Sequence, residues 1–319
     1  MKAYRVSTLG RTPYIVTIET PRPGKGEVLL EIDACGLNFA DLLMAKGTYQ
    51  DTPEVPFTLG LEVCGKVLEH GEGVQSPPIG SRVAVFGGSG GLAQKGVFKA
   101  DMCLPVPENM SSEVAAGFQV AYGTSHLALT RRAQLKAGET LLVLGASGGV
   151  GLTAIEIGKA LGAKVIAVAR GTEKLKIAQE AGADHVFDSD DPSLVQSLKA
   201  LGGVDVVYDP VGGELFKSAM KACNREARIL VIGFASGDVP PVPANIILVK
   251  NISVIGFYWG GYLKFNPDAL AASMTELFQW HEEGRLKPHI SHVLPLEQAG
   301  EAMELMRSRK STGKVVVTP

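Results

Sequence analysis

At 319 residues, with 45% hydrophobic and 20% charged side chains, the chain has room for two ordinary domains with large cores. Its 31 basic and 33 acidic residues give a net charge of −2 without blocks of like charge, which argues against nucleic-acid and membrane-surface partners. The N-terminus lacks a signal-peptide core and no apolar run reaches the ~18 residues of a membrane span, so we expect a cytoplasmic protein. Four scattered cysteines predict reduced thiols and no structural zinc lobe.

Residues 1–115 contain short apolar runs separated by turns rich in proline and glycine. Strands are predicted at residues 27–32, 65–69 and 82–86, each bounded by such turns. This pattern favours a β-rich, barrel-like first domain.

From about residue 111 the pattern changes to short apolar runs that alternate with amphipathic helices. The predicted helices include residues 111–129, 149–161, 172–181, 192–200 and 213–222, and the strands include 140–144, 164–168, 185–187, 204–208 and 228–232. Such alternation is typical of a doubly wound parallel sheet, so the predicted fold class is α/β with a separate β-rich domain. We predict domains at residues 1–115 and 116–256, followed by a C-terminal segment at 257–319.

A glycine-rich turn, Gly145-Ala-Ser-Gly-Gly-Val-Gly151, follows an apolar strand and precedes a predicted helix. Glycine lets the backbone turn sharply and approach a pyrophosphate, which the N-terminus of the following helix attracts. The turn fits the dinucleotide-binding fingerprint, with Ala146 at the first glycine position. A turn that serves only close helix–strand packing is the alternative. The predicted pyrophosphate-binding residues are Ser147, Gly148, Gly149, Val150 and Gly151.

The second strand of this domain ends at Val168-Ala-Arg-Gly-Thr172 without the acidic residue that binds the ribose of NAD. Arg170 and Lys174 lie instead where a 2′-phosphate is expected. Arginine binds phosphate through two parallel hydrogen bonds, and lysine adds a point charge. The sequence therefore favours NADPH, although Lys174 can also be a solvated helix residue.

Glycine-bearing turns follow two later strands, at residues 209–213 and 233–237. Ligands of such sheets bind beyond the carboxyl ends of the strands, where these turns lie. We expect Val211, Gly233 and Phe234 to contact the adenosine and nicotinamide portions, with plain turns before helices as the alternative.

Four stretches resemble the zinc-free quinone oxidoreductase (zeta-crystallin-like) branch of the medium-chain dehydrogenase/reductase superfamily. They are residues 35–41 (CGLNFAD), 121–129 (AYGTSHLAL), 135–151 and 312–317 (TGKVVV). The resemblance covers both domains and implies a GroES-like catalytic domain, a Rossmann NADPH-binding domain and an active site in the cleft between them. It also implies that the C-terminal segment returns to the catalytic domain.

The zinc-dependent relatives carry Cys-Gly-x-Cys-His followed by Gly-His-Glu, whereas this chain has Asn38 and Leu61 at two ligand positions. Catalytic zinc needs three protein ligands, so no metal site is expected and Glu62 is left to support the fold. By resemblance, Asn38 lies beside the nicotinamide and Tyr49 lines the same cleft, and both can donate hydrogen bonds to a carbonyl. The alternative role for Asn38 is a turn cap, and the alternative for Tyr49 is a half-buried aromatic on the domain surface. Some relatives have a further tyrosine where this chain has Leu43.

Further contacts to the nicotinamide are expected from residues 257–259 and from the helix near residue 124. Phe257 and Trp259 are candidate pocket walls, with core packing as an equal alternative. Thr124 is a candidate donor to the carboxamide by resemblance. His126 is expected either near the cleft or on a helix surface.

Together these features predict an NADPH-dependent reductase that transfers a hydride to quinones or related α,β-unsaturated carbonyls without zinc. An enoyl-thioester reductase is the second hypothesis, and a non-catalytic NADPH-binding protein is the third. The apolar strand at residues 252–257, at the expected sheet edge, predicts a homodimer.

Overall fold

Two units make up the computed structural model, which describes residues 1–319. The first unit contains residues 1–120 and 288–319, and the second contains residues 121–287. The predicted C-terminal segment is therefore divided, because residues 257–287 belong to the second unit. The physical reason is a helix at Pro267–Glu282 whose Leu277 and Trp280 are buried, with the Trp280 ring 5.3 Å from that of His126.

The strands and helices are numbered separately in chain order. The strands are β1 (Lys2–Val6), β2 (Tyr14–Thr17), β3 (Glu27–Gly36), β4 (Phe57–Thr58), β5 (Glu62–His70), β6 (Arg82–Phe86), β7 (Lys95–Lys99), β8 (Cys103–Pro105), β9 (Thr140–Leu144), β10 (Lys164–Ala169), β11 (His185–Asp188), β12 (Val204–Asp209), β13 (Cys223–Val231), β14 (Ser253–Gly256), β15 (Ile290–Pro295) and β16 (Lys314–Thr318). The helices are α1 (Phe39–Lys46), α2 (Ser112–Ala116), α3 (Gln119–Leu127), α4 (Gly149–Ala160), α5 (Thr172–Glu180), α6 (Leu194–Ala200), α7 (Gly213–Ala222), α8 (Ala244–Lys250), α9 (Tyr262–Phe265), α10 (Pro267–Glu282) and α11 (Ala299–Arg307).

The first unit is built on a seven-stranded sheet in the order β15-β16-β3-β5-β6-β8, with β7 paired to β3. A second sheet has the order β2-β1-β4. Alternate residues of β3 are fully buried, as in Val28 and Leu30, and they pack with Val63 and Leu92 in one core. The C-terminal strand β16 pairs with β3, so the end of the chain completes this unit.

The second unit contains a six-stranded parallel sheet in the order β11-β10-β9-β12-β13-β14. This order reverses direction between β9 and β12, and the carboxyl ends of strands at such a switch point are where open α/β sheets bind ligands. Fully buried Leu142, Val207 and Ile229 form part of its core. The predicted α/β class, with a doubly wound parallel sheet and a separate β-rich domain, is confirmed.

The long helix predicted at residues 111–129 is two helices. Ser111 is the N-cap of α2, and its Oγ accepts the Val114 N–H at 3.3 Å; Gly117 is the C-cap, and α3 starts at Gln119. The chain packs closely on β3 at this break, since a Cβ atom added at Gly36 would lie 2.3 Å from the Ala116 carbonyl oxygen. Across both units, no helix combines the length and apolar character needed to span a bilayer.

Candidate active site

The glycine-rich turn connects β9 to α4 at the carboxyl end of the sheet, as predicted. Gly145 has φ +57°, and a Cβ atom there would lie 2.8 Å from Val211 Cγ2. A Cβ atom at Gly151 would lie 2.4 Å from the Gly145 carbonyl oxygen, whereas one at Gly148 meets nothing closer than that oxygen at 3.4 Å. Gly151 therefore allows the turn to pack on itself, and Gly148 leaves open space above the backbone.

The first turn of α4 is suited to a phosphate group. Its N-cap, Gly148, has extended backbone with φ −78° and ψ 172°, and no side chain caps the helix. The amide hydrogens of Gly149, Val150 and Gly151 precede the first intrahelical bond, in which the Leu152 N–H donates to the Gly148 carbonyl oxygen at 2.9 Å. Ser147 is buried directly before them. Open space and free amides at a helix N-terminus fit a dinucleotide pyrophosphate.

Arg170 lies at the end of β10, where it is exposed, and Lys174 is half-buried in the first turn of α5. Arg170 already contacts a carboxylate: its Nη2 donates to Asp190 Oδ1 at 3.1 Å, and its Nε lies 3.1 Å from Asp190 Oδ2. An acidic residue was expected only at the end of the second strand, so Asp188, the last residue of the third strand, and Asp190, which follows it, were missed. Their position at the carboxyl end of β11, which pairs in parallel with β10, was the available signal.

The two later turns lie beside the glycine-rich turn. Asp209, at the end of β12, is buried, and its Oδ1 accepts the Val211 and Gly212 N–H groups at 2.7 and 2.9 Å. Burial raises the pKa of this carboxyl group. Phe234 is 38% exposed, and its Cδ1 lies 3.1 Å from a Cβ atom added at Gly212. Gly233 follows β13, next to the backbone of Pro210. The structure thus brings Val211, Gly233 and Phe234 to the same sheet edge as Gly145.

The aromatic residues after β14 are mostly buried in the second unit. Phe257 is 7% exposed and its ring centre is 5.5 Å from that of Tyr262, while Trp259 is 6% exposed. The Trp259 ring lies against Gly123, where an added Cβ atom would be 2.5 Å from Nε1. Thr124, the next residue, is also buried. Their packing agrees with the core alternative, and contact with a nicotinamide stays a prediction.

His126 is neither in a cleft nor on a helix surface. It is 3% exposed, its Nδ1 lies 2.8 Å from Ser273 Oγ, and its ring meets Trp280 edge to face. Burial lowers the pKa of His126, and the carboxylate of Glu276, 3.4 Å from Nε2, opposes this shift.

This burial predicts an acid-sensitive second unit. Because the pKa of His126 is lower in the folded state than in the unfolded chain, the unfolded chain binds the proton first as pH falls below the ordinary value of 6.5. We expect stability to fall below that pH, by at most about 1.4 kcal/mol per pH unit for one proton. Urea unfolding of wild type and His126→Gln between pH 5 and 8 tests this. A variant with an equally steep acid slope would contradict the assignment.

A buried polar cluster in the first unit contains Asn38, Glu62 and Lys314. Lys314 Nζ donates to Glu62 Oε1 at 2.8 Å, to Asn38 Oδ1 at 2.9 Å and to the Leu37 carbonyl oxygen at 2.7 Å. Glu62 is fully buried, and its Oε2 accepts the Val120 N–H at 3.0 Å. We call these three side chains the Lys314–Glu62–Asn38 cluster. Its ammonium ion neutralises the carboxylate and uses all three of its hydrogens.

The side-chain hydrogen bonds of Asn38 lie within the first unit, and its predicted role as a donor to a carbonyl stays a prediction. Its Nδ2 donates to Glu62 Oε1 at 2.9 Å and to the Gly36 carbonyl oxygen at 3.3 Å, so both amide hydrogens are used within the first unit. Its backbone N–H donates to Asp41 Oδ2 at 2.8 Å at the start of α1. The turn-cap alternative therefore describes this residue well. Burial raises the pKa of Asp41 to about 7.

Sequence reasoning missed Lys314. It lies 276 residues from Asn38 along the chain, so no local motif joins the two. The signal was a single lysine directly before the buried run Val315-Val-Val317 in β16, where solvation of its charge is impossible.

Tyr49 is half-buried after α1 and packs against the core of the first unit. Its carbonyl oxygen accepts the Thr52 hydroxyl at 2.7 Å. No group of three or more His, Cys, Asp or Glu side chains is arranged to hold a metal ion. Glu62 forms an ion pair with Lys314, as described above.

Comparison with known proteins identifies both units. The alcohol dehydrogenase GroES-like domain matches residues 24–108, and the zinc-binding dehydrogenase family matches residues 149–279. The chain is 40% identical to quinone oxidoreductase-like protein 2 of Bos taurus over 97% of its own length and 90% of that protein.

Solved structures agree. Quinone oxidoreductase of Escherichia coli complexed with NADPH aligns over the whole of both chains with a TM-score of 0.92 at 29% identity. The quinone oxidoreductase of Thermus thermophilus, also described in complex with NADPH, gives 0.88 at 32% identity over the whole of both chains. The similarity is therefore not limited to the four resembling stretches and extends over the whole chain. This protein belongs to the quinone oxidoreductase-like family of the medium-chain dehydrogenase/reductase superfamily.

Proposed function

We propose that this protein is an NADPH-dependent oxidoreductase that reduces quinones or related α,β-unsaturated carbonyls. The observation that carries the proposal is the glycine-rich turn at the switch point of the parallel sheet, with open space at Gly148 and uncapped amides in the first turn of α4. Relatives solved with NADPH bound support the choice of coenzyme.

Each predicted coenzyme contact has a place in this proposal. Residues 147–151 bind the pyrophosphate, and Arg170 and Lys174 bind the 2′-phosphate by charge and hydrogen bonding. The adenosine and nicotinamide portions are assigned to Val211, Gly233, Phe234, Thr124, Phe257 and Trp259. When bound, NADPH supplies the hydride.

We further propose that the reaction proceeds without zinc. At the positions of two zinc ligands in the zinc-dependent relatives the chain has Asn38 and Leu61, and Glu62 is paired with Lys314. The charge that develops on the acceptor oxygen must then be stabilised by hydrogen bonds. Because both amide hydrogens of Asn38 are used, we assign this task to Tyr49 or an ordered water and keep Asn38 as a residue beside the nicotinamide.

The oxidation of NADPH by simple quinones and enones, measured before and after divalent metals are removed with a chelator, tests the proposal. We expect turnover that survives chelation. Turnover of enoyl thioesters alone would favour the second hypothesis, and NADPH binding without turnover of any acceptor would favour a non-catalytic binding protein. Loss of activity on chelation would contradict zinc independence.

A homodimer is part of the proposal. β14 lies at the edge of the six-stranded sheet, and its backbone groups on that side have no strand partner. Leu248 and Val249 of the preceding helix α8 are 76% and 68% exposed, which is unusual for large apolar side chains. We expect light scattering after gel filtration to give twice the chain mass of 33.6 kDa. A monomeric mass at micromolar concentration would contradict this assignment.

A further inference from the structure

The predicted 2′-phosphate ligand, Arg170, is held by a carboxylate from the neighbouring strand. Its Nη2 and Nε each lie 3.1 Å from a different oxygen of Asp190, which is the paired geometry that guanidinium groups also use for phosphate. The carboxylate and a coenzyme phosphate therefore require the same edge of the guanidinium.

Asp190 is fixed in this position by its own neighbours. Its N–H donates to Asp188 Oδ1 at 2.9 Å, and the Gly171 N–H donates to Asp188 Oδ2 at 2.9 Å. Asp188 is paired with Ala169 in the parallel register of β11 and β10, so these bonds tie the two strand ends together. The hydrogen bond from the Asp190 N–H, with that from Gly171, lowers the pKa of Asp188, which keeps it ionised. The positive charge of Arg170 also lowers the pKa of Asp188, so the guanidinium group interacts with Asp190 directly and with Asp188 through charge.

We propose that Asp190 is a specificity-determining residue that competes with the 2′-phosphate for Arg170 and so allows NADH to bind as well as NADPH. The inference rests on the proposed coenzyme site. A 2′-phosphate brings a charge of about −1.5 to −2 toward two carboxylates and must displace Asp190 from Arg170. NADH carries a neutral 2′-hydroxyl group there, which meets no such repulsion and can donate to a carboxylate.

The opposite role is physically possible for the same pair. Asp190 can position Arg170 while the remaining guanidinium edge binds the phosphate, since arginine has five N–H donors. The two roles predict opposite changes in NADPH affinity. Competition predicts that neutralising Asp190 strengthens NADPH binding, and positioning predicts that it weakens NADPH binding.

Direct titration of both coenzymes decides between these roles. We expect Asp190→Asn to lower the Kd of NADPH about fivefold at low salt, to leave the Kd of NADH nearly unchanged, and to lose this gain at about 0.5 M NaCl. The matched control is Asp191→Asn, which removes the same charge from the next residue. Asp191 bonds to the Ser193 N–H and Oγ at 2.8 and 2.7 Å, and we expect its variant to leave the ratio of the two Kd values unchanged.

An unchanged ratio or weaker NADPH binding in Asp190→Asn would overturn the inference, as would an equal shift in Asp191→Asn. Asp190 has 62% of its side chain exposed, so we expect both variants to fold. The titration uses the full chain without acceptor, so a failure to reduce quinones leaves its result intact. If wild type binds neither coenzyme, the proposed function itself fails, whereas binding with an unchanged ratio refutes only the role of Asp190.

Discussion

Lys314→Met is expected to destabilise the first unit by about 3–5 kcal/mol, because it leaves the Glu62 carboxylate buried without its cation. Glu62 is fully buried and the side chain of Lys314 is 9% exposed, so water cannot replace the lost partner without opening the unit. The Asn38 Oδ1 and the Leu37 carbonyl oxygen lose a donor at the same time. Urea unfolding of the purified chain measures the change.

The double variant Lys314→Met, Glu62→Gln is the matched control for this prediction. It removes both charges and keeps the shape, and the Asn38 amide can turn over to accept from the glutamine amide. We expect it to recover most of the stability lost by the lysine variant, with a coupling energy of about 2 kcal/mol or more between the two positions. Purely additive losses, or a loss below about 1 kcal/mol for Lys314→Met, would show that the charges are not coupled.

The residues at the zinc-ligand positions could be predicted from the sequence, whereas the contact of Lys314 with Glu62 could not. Asn38 and Leu61 stand within recognisable motifs, so the loss of zinc ligands follows directly from the residues. Lys314 reaches the cluster only because β16 pairs with β3 at the end of the chain. That pairing is a long-range consequence of the fold, and no local pattern near residue 38 carries it.

The second unit shows the same division between local and long-range information. The glycine-rich turn, the parallel strands and the position of Arg170 are local patterns, and the structure has them where predicted. Asp190 is 20 residues from Arg170 along the chain. Its carboxylate contacts Arg170 only because β11 lies next to β10 in the sheet. The second unit extends to residue 287 because it includes α10, and an amphipathic pattern does not specify which core a helix joins.

Alanine at Gly148 and at Gly151 is expected to abolish tight coenzyme binding for two different reasons. A methyl group at Gly148 meets only the Gly145 carbonyl oxygen, at 3.4 Å, and φ −78° suits any residue. This variant should fold normally and raise the Kd of NADPH by at least about tenfold, because the methyl group occupies the space above the turn where we propose that the pyrophosphate binds.

The Gly151→Ala variant should instead lose both stability and binding. In an open helix position alanine stabilises by about 1 kcal/mol relative to glycine, so the local preference of the backbone favours the change. The added methyl group, however, would lie 2.4 Å from the Gly145 carbonyl oxygen and 2.8 Å from the backbone of Ala146, and neither can move without displacing the turn. We expect a net loss of about 1–3 kcal/mol, typical of overpacking. Thermal unfolding and NADPH titration of both variants give the comparison, and a Gly151→Ala protein more stable than wild type would refute the packing role assigned to this glycine.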